Sequence, residues 1–324
     1  MLTSWFMSDR YAGALLGVHA GDALGSTVEF SPWSDIQTRY PEGVREIVGG
    51  GPFHWPAGHA TDDTDMTRAV LLAYLDPGED VVLTAARNML DWLEGRWPGR
   101  VEGKPPRDVG RATLTGLKKF AKTGDATSSG CGPGQAGNGS LMRCLPTALA
   151  VRDRARRIDD SMRISAITHA DPRCTISCAA YNEIVSSLLE GRPAEESVEI
   201  GQTTARELGG QAVVDAIGYG RHLLPAMLVR TGQTFLEDDA AGYVLDSLSL
   251  AVAAVLDTRP LPDVLIDIVR IGNDTDSNGA IAGGLLGARD GAEAIPPQWM
   301  DVLQFADEFR AAAAKLNLQG SRWD

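Results

Sequence analysis

YAGALLGVHAGDALG, residues 11–25, reads as a helix built from small side chains. Glycine costs a helix about 1 kcal/mol against alanine. Its repeated use inside a helical run therefore points to a backbone that another backbone must approach closely. NGAIAGGLLGA, residues 278–288, is made the same way. The two stretches are expected to meet at the centre of a helical bundle, which would bring the two ends of the chain together there.

Working outward, the apolar spacing stays helical. In DVLQFADEFRAAAAKL, Val302, Phe305, Phe309, Ala313 and Leu316 step by three or four, as one helix stripe does. VLTAARNMLDWLEG repeats the step at Leu83, Ala86, Leu90 and Leu93. CTISCAAYNEIVSSLLEG repeats it at Ile176, Ala180, Ile184 and Leu188, with Gly191 as the stop. VREIVGG near 44–50 is the one strand-like run, and it is short. The fold class expected is all-α. A length of 324 residues suggests roughly two domains, but no low-complexity linker divides it. Residues 1–324 therefore read as one domain, with 97–108 and 123–137 as long functional loops. RDRARRIDD (152–160) reads as a solvated charged face.

The formal charge of −13 disfavours nonspecific binding to nucleic acid or to an anionic membrane. No run approaches the ~20 apolar residues of a membrane span, and the N-terminus does not read as a signal peptide. Cys131, Cys144, Cys174 and Cys178 lack a CxxC pair, so they read as reduced thiols of a cytoplasmic protein and a zinc site is not expected.

GHATDDTDMTRAV (58–70) sets Asp62, Asp63 and Asp65 beside Thr61 and Thr64 at a helix mouth. One Asp suffices to cap free N–H groups. Far downstream, IGNDTDSNGAIAGG repeats the pattern with Asp274, Thr275, Asp276 and Ser277. Each cluster alone could be an ordinary cap. If the two helices cross, Asp62, Asp63, Asp274 and Asp276 converge, and Glu29 can join them. Two unit charges 4 Å apart repel by about 4 kcal/mol at an effective dielectric near 20, so five ionised carboxylates need cations. Oxygen ligands without His or Cys select hard ions, so two Mg²⁺ or Mn²⁺ are the expectation.

GCGPGQAGNGSLMRC (130–144) is a glycine-rich loop before a helix. Gly137, Asn138, Gly139 and Ser140 could offer N–H groups to a phosphate, or Asn138 or Ser140 could simply cap. Arg143 is open between ligand contact and an ion-paired or surface role. His169 precedes a helix capped by Asp171 with Pro172 in its first turn, and either touches a ligand or satisfies a loop. Asp108 lies at another helix start, where capping is the alternative.

Taken together, GALLGVHAGDALGSTVEF, GHATDDTDM, PPRDVGRAT, GNGSLMR, THADP and GNDTDSNGAIAGGLLGA resemble, in matching order, the ADP-ribosylglycohydrolase family, including the dinitrogenase-reductase-activating glycohydrolases. The resemblance implies a compact orthogonal all-α bundle around a dinuclear Mg²⁺ or Mn²⁺ centre. It implies metal ligation by Thr61, Asp62, Asp63, Asp274, Asp276 and Ser277, the last replacing the family's usual Thr. It implies Glu29 and Asp108 as catalytic acids, although Arg111 stands where an Asn usually follows Asp108. It also implies substrate contacts from Gly137, Asn138, Gly139, Ser140 and His169. The function implied is hydrolysis of the bond joining ADP-ribose to a protein side chain, arginine first. Serine-linked ADP-ribose, an ADP-ribose ester, a phosphoester substrate and non-catalytic ADP-ribose binding are the alternatives. The expected partner is an ADP-ribosylated protein or an ADP-ribose-containing small molecule, and the expected state a monomer.

Overall fold

In a computed structural model that describes residues 2–78, 80–232 and 241–319, the two glycine-rich stretches form the helices Leu2–Gly25 and Thr275–Asp290. They make the most extensive helix–helix contact among the described residues. The reason lies in a glycine at every fourth position. A Cβ built on Gly17 would sit 2.1 Å from the Gly283 carbonyl oxygen, and one on Gly21 would sit 2.0 Å from that of Gly279. Gly13 meets Gly287 in the same way, and Gly25 meets Thr275. The helices run antiparallel, backbone against backbone, and no side chain larger than hydrogen fits between them.

Around this pair, Pro172–Leu189 and Val244–Leu256 are also buried on nearly every face, as a helix that is apolar all round must be. Amphipathic helices such as Arg111–Thr123 and Leu261–Arg270 form the outer layer. Ala306–Gln319 packs on Leu2–Gly25, so the ends of the chain do meet. Sixteen α-helices, two three-residue 3₁₀ turns and isolated β-bridges account for the regular structure among the described residues, and the fold is all-α. VREIVGG forms no strand; Gly50 makes a lone antiparallel bridge to Trp55. No helix among the described residues is long and apolar enough to cross a membrane.

Three details depart from the sequence reading. Val81–Leu93 buries Val82, Ala85, Ala86, Met89 and Trp92, one position out of phase with the Leu83/Leu90/Leu93 stripe, whose leucines are only half-buried. The last helix begins at Ala306, so Val302 lies in a turn and is exposed. RDRARRIDD is not wholly a solvated face. Arg157 and Asp160 are buried: Arg157 Nε donates to Glu183 at 2.6 Å and Asp160 accepts from Tyr74 at 3.2 Å.

Candidate active site

The mouths of the Asp62–Leu75 and Thr275–Asp290 helices face each other. Ser277 Oγ donates to Asp63 Oδ2 at 3.3 Å, and Thr61 Oγ1 does the same at 3.3 Å. Capping of the first helix falls to Thr61, whose hydroxyl accepts from the Asp63 N–H. Asp274 occupies the N-cap position of the second helix but makes no side-chain cap; its Oδ2 accepts from Asn138 Nδ2 at 2.7 Å. The carboxylates of Asp62, Asp63 and Asp274 are thus not committed to helix capping. Asp65 is different: it turns away to Trp92, Trp97 and Arg100, at 3.0, 3.2 and 2.8 Å, and is structural.

Glu29 reaches the same place from the turn after Leu2–Gly25. That turn is pinned by paired backbone bonds, Phe30 N–H to the Asn273 carbonyl and Asn273 N–H to that of Ser31. Carboxylate oxygens of Glu29, Asp108 and Asp276 lie within 4.8 Å of one another. Asp108 does not cap a helix either; Gly110 is the N-cap of Arg111–Thr123.

One member of this cluster went unnoticed in the sequence. Asp22, fully buried inside the glycine helix, accepts from the Thr61 N–H at 3.1 Å, the Thr64 N–H at 3.2 Å and the Thr64 hydroxyl. Its signal was visible: a lone acid in a run of Gly, Ala and Leu.

Burial and mutual repulsion hold these carboxyls above their ordinary range. Burial, then Asp108, Asp274 and Asp22, push Glu29 up to about 9. Burial raises Asp22 to about 7 against the pull of its hydrogen bonds. Asp62, Asp63 and Asp276 are raised well above the usual value, and Asp108 is raised too, in each case first by burial. Asp22 Oδ1, Glu29 Oε2, Asp63 Oδ1 and Asp276 Oδ1 are buried with no hydrogen-bond partner. Orphaned carboxyl oxygens in a buried cluster are costly to the fold whether charged or protonated. They are what a cation would satisfy, and the all-oxygen donor set suits a hard divalent ion.

The cluster opens on a cavity of about 670 Å³. Glu29, Asp62, Asp108, Asp274, Asp276 and Ser277 line it, while Thr61 and Asp63 sit just behind, each 1 % exposed. Gly137, Asn138, Gly139 and His169 line the same cavity. Ser140 does not; it is buried beneath the loop, accepting from Ser165 Oγ at 2.8 Å and from Cys178. The loop is also not the mouth of a long helix. A three-residue 3₁₀ turn, Leu141–Arg143, follows it, and the Asn138 N–H is already given to the Gly242 carbonyl. Neither Asn138 nor Ser140 caps a helix with its side chain. Arg143 is neither at the surface nor ion-paired: it is fully buried and braces the loop through the Gly139 carbonyl. Arg111, Arg173 and Tyr243, which the sequence reading did not assign to ligand contact, also line the cavity.

A family model for ADP-ribosylglycohydrolases matches residues 4–324. The chain belongs to the ADP-ribosylglycohydrolase family. It is 30 % identical over 314 residues to the ADP-ribosylarginine hydrolase Tri1 of Pseudomonas putida, an alignment covering 95 % of this chain and 78 % of that one. It is also 30 % identical over 309 residues to the ADP-ribosyl-[dinitrogen reductase] glycohydrolase of Rhodospirillum rubrum, covering 95 % and 94 %. A solved structure described as an ADP-ribosylglycohydrolase-related protein complex superposes with a TM-score of 0.79 at 29 % identity, over 97 % of this chain and 99 % of the other. This ADP-ribosylglycohydrolase family member is a hydrolase enzyme.

Proposed function

We propose that this enzyme cleaves the glycosidic bond between ADP-ribose and a protein side chain, releasing ADP-ribose, with arginine the preferred linkage. The observation that carries the reading is the meeting of two distant acid clusters with Glu29 and Asp108 on one cavity wall. The arginine linkage is supported by the activity that names the Pseudomonas relative. Residues 1–324 are taken as one domain and a monomer. Four free, buried cysteines favour a cytoplasmic setting.

Thr61, Asp62, Asp63, Asp274, Asp276 and Ser277 would hold two divalent cations, Mg²⁺ or Mn²⁺. Bound there, the ions would supply Lewis-acid polarisation and a template for ribose hydroxyls and water. Glu29, held above the usual carboxyl range by burial and then by its acidic neighbours, faces the cavity, placed to hand a proton to the leaving group. Asp108, on the same wall, is the second carboxyl able to move a proton between water and the departing nitrogen. Gly137 and Gly139 keep the wall flat enough for a diphosphate, and Asn138 ties that loop to Asp274. Arg111 gives the wall positive charge beside so many acids; Arg173, on the same wall, is already paired with Asp171 at 2.8 Å. Ser140 supports the loop from behind.

Incubation with an ADP-ribosyl-arginine peptide and Mg²⁺ tests the reading. Intact ADP-ribose and unmodified peptide are expected. Release of AMP would mean cleavage of the diphosphate instead and would contradict it. Serine- and ester-linked substrates run alongside decide the linkage.

A further inference from the structure

His169 is a neutral ring by burial, but its useful property is which nitrogen carries the proton. Arg143 Nη2 donates to Thr168 Oγ1 at 2.7 Å, and a guanidinium can only donate. Thr168 Oγ1 is in turn 2.7 Å from His169 Nδ1. Thr168 is fully buried, and the contact in hand for its hydroxyl proton is that imidazole nitrogen. The proton therefore points at Nδ1, which must be an acceptor. The ring's own proton is left on Nε2. That nitrogen lies against the glycine-rich loop on the cavity wall, where a Cβ at Gly139 would come within 3.2 Å of it and one at Gly137 within 3.6 Å.

We propose that Arg143 and Thr168 are positioning residues that lock His169 in its Nε2–H tautomer, making it a fixed hydrogen-bond donor to an oxygen of the bound ADP-ribose. The ligand rests on the proposed function; the tautomer does not. Arg143 serves twice, since its other arm holds the Gly139 carbonyl and so sets the loop on which the imidazole leans. This also explains a fully buried arginine without a carboxylate partner in its hydrogen bonds: carbonyl and hydroxyl oxygens accept from it instead. A donor of fixed direction costs no reorientation when the ligand arrives.

The test is spectroscopic first. Protein labelled with ¹⁵N-histidine has five imidazoles, His19, His54, His59, His169 and His222, and His169→Gln identifies the signal by its loss. Two-bond ¹H–¹⁵N correlations at pH 7.5 are expected to show the Nε2–H pattern for His169. The Nδ1–H pattern in the wild type would overturn the proposal. Thr168→Val keeps the shape and removes the hydroxyl. It is expected to release the tautomer preference and to weaken binding of ADP-ribose about tenfold, as loss of one oriented hydrogen bond would. Thr168→Ser is expected to restore both. A valine variant with unchanged tautomer and unchanged affinity would overturn the relay. Failure of the wild type to bind ADP-ribose would instead overturn the proposed ligand, while the spectrum would still judge the tautomer.

Discussion

Asp22 and Ser140 show what single residues do at this site. Asp22 satisfies two backbone donors and one hydroxyl at the mouth of the Asp62–Leu75 helix. Asp22→Ala would leave them buried and unpaired, at a cost of about 2–4 kcal/mol, measurable by urea denaturation. Ser140 lies behind the loop, so Ser140→Ala is expected to cost about 1 kcal/mol of stability while the KM for an ADP-ribosyl peptide stays within about twofold. Asp108→Asn is expected to do the reverse. Stability should hold, and kcat should fall by about 10²–10⁴, the range for losing a general acid or base. Sequence reading reached the paired acids because carboxylates crowded at two helix mouths are a chemical oddity, and set Glu29 beside them as the acid that follows the first glycine helix; Asp108 took its role only from the family resemblance. The reading missed Asp22, visible as a lone acid in an apolar run, because its partners Thr61 and Thr64 lie about forty positions away. It grouped Ser140 with Gly137, Asn138 and Gly139 as a run of backbone N–H donors, and adjacency in the chain does not say that Ser140 lies beneath the loop.

At the scale of elements, the glycine interface between Leu2–Gly25 and Thr275–Asp290 sets the distance between the two acid clusters. Gly21→Ala would drive a Cβ into the Gly279 backbone at 2.0 Å. The helices must separate, at a cost of about 3 kcal/mol, the upper end of the usual overpacking range. Gly132→Ala has open space and is expected to be neutral or stabilising by up to about 1 kcal/mol. Chemical denaturation of the two variants makes the comparison. This interface was legible because glycine inside a helix is costly unless a close contact repays it. The phase of Val81–Leu93 was not, because Leu83, Leu90 and Leu93 and the observed Val82, Met89 and Trp92 are equally apolar stripes. Only the neighbouring helices choose between them. Arg157 escaped for a related reason: its partner, Glu183, lies on another helix.

For the molecule as a whole, the acidic cluster makes stability depend on pH and on cations. A carboxyl whose folded pKa exceeds its unfolded value keeps a proton that the unfolded chain releases. Stability is then lost as pH rises from about 4, the unfolded value, through about 7 for Asp22 and about 9 for Glu29. His19 and His169, held near 3 by burial, act at the other end and lose stability as pH falls below about 6.5. Between pH 7 and 9 the histidines are neutral in both states; the carboxyls set the slope, and above about pH 8.5 the Cys144 and Cys174 thiols, pushed up by burial, add to it with the same sign. Each retained proton then costs about 1.4 kcal/mol per pH unit. In EDTA the melting temperature is expected to fall across that window, and Mg²⁺ should flatten the fall. A flat profile in EDTA would mean that the acids are less strained than their burial implies.

The most direct measurement is a calorimetric titration of Mn²⁺ into chelator-stripped protein, wild type beside Asp62→Asn/Asp274→Asn. Saturable binding of two equivalents by the wild type, lost or halved in the double variant, is the result expected. No saturable binding by a folded wild type, or an unchanged isotherm in the variant, would contradict the claim that the two helix mouths form one cation site.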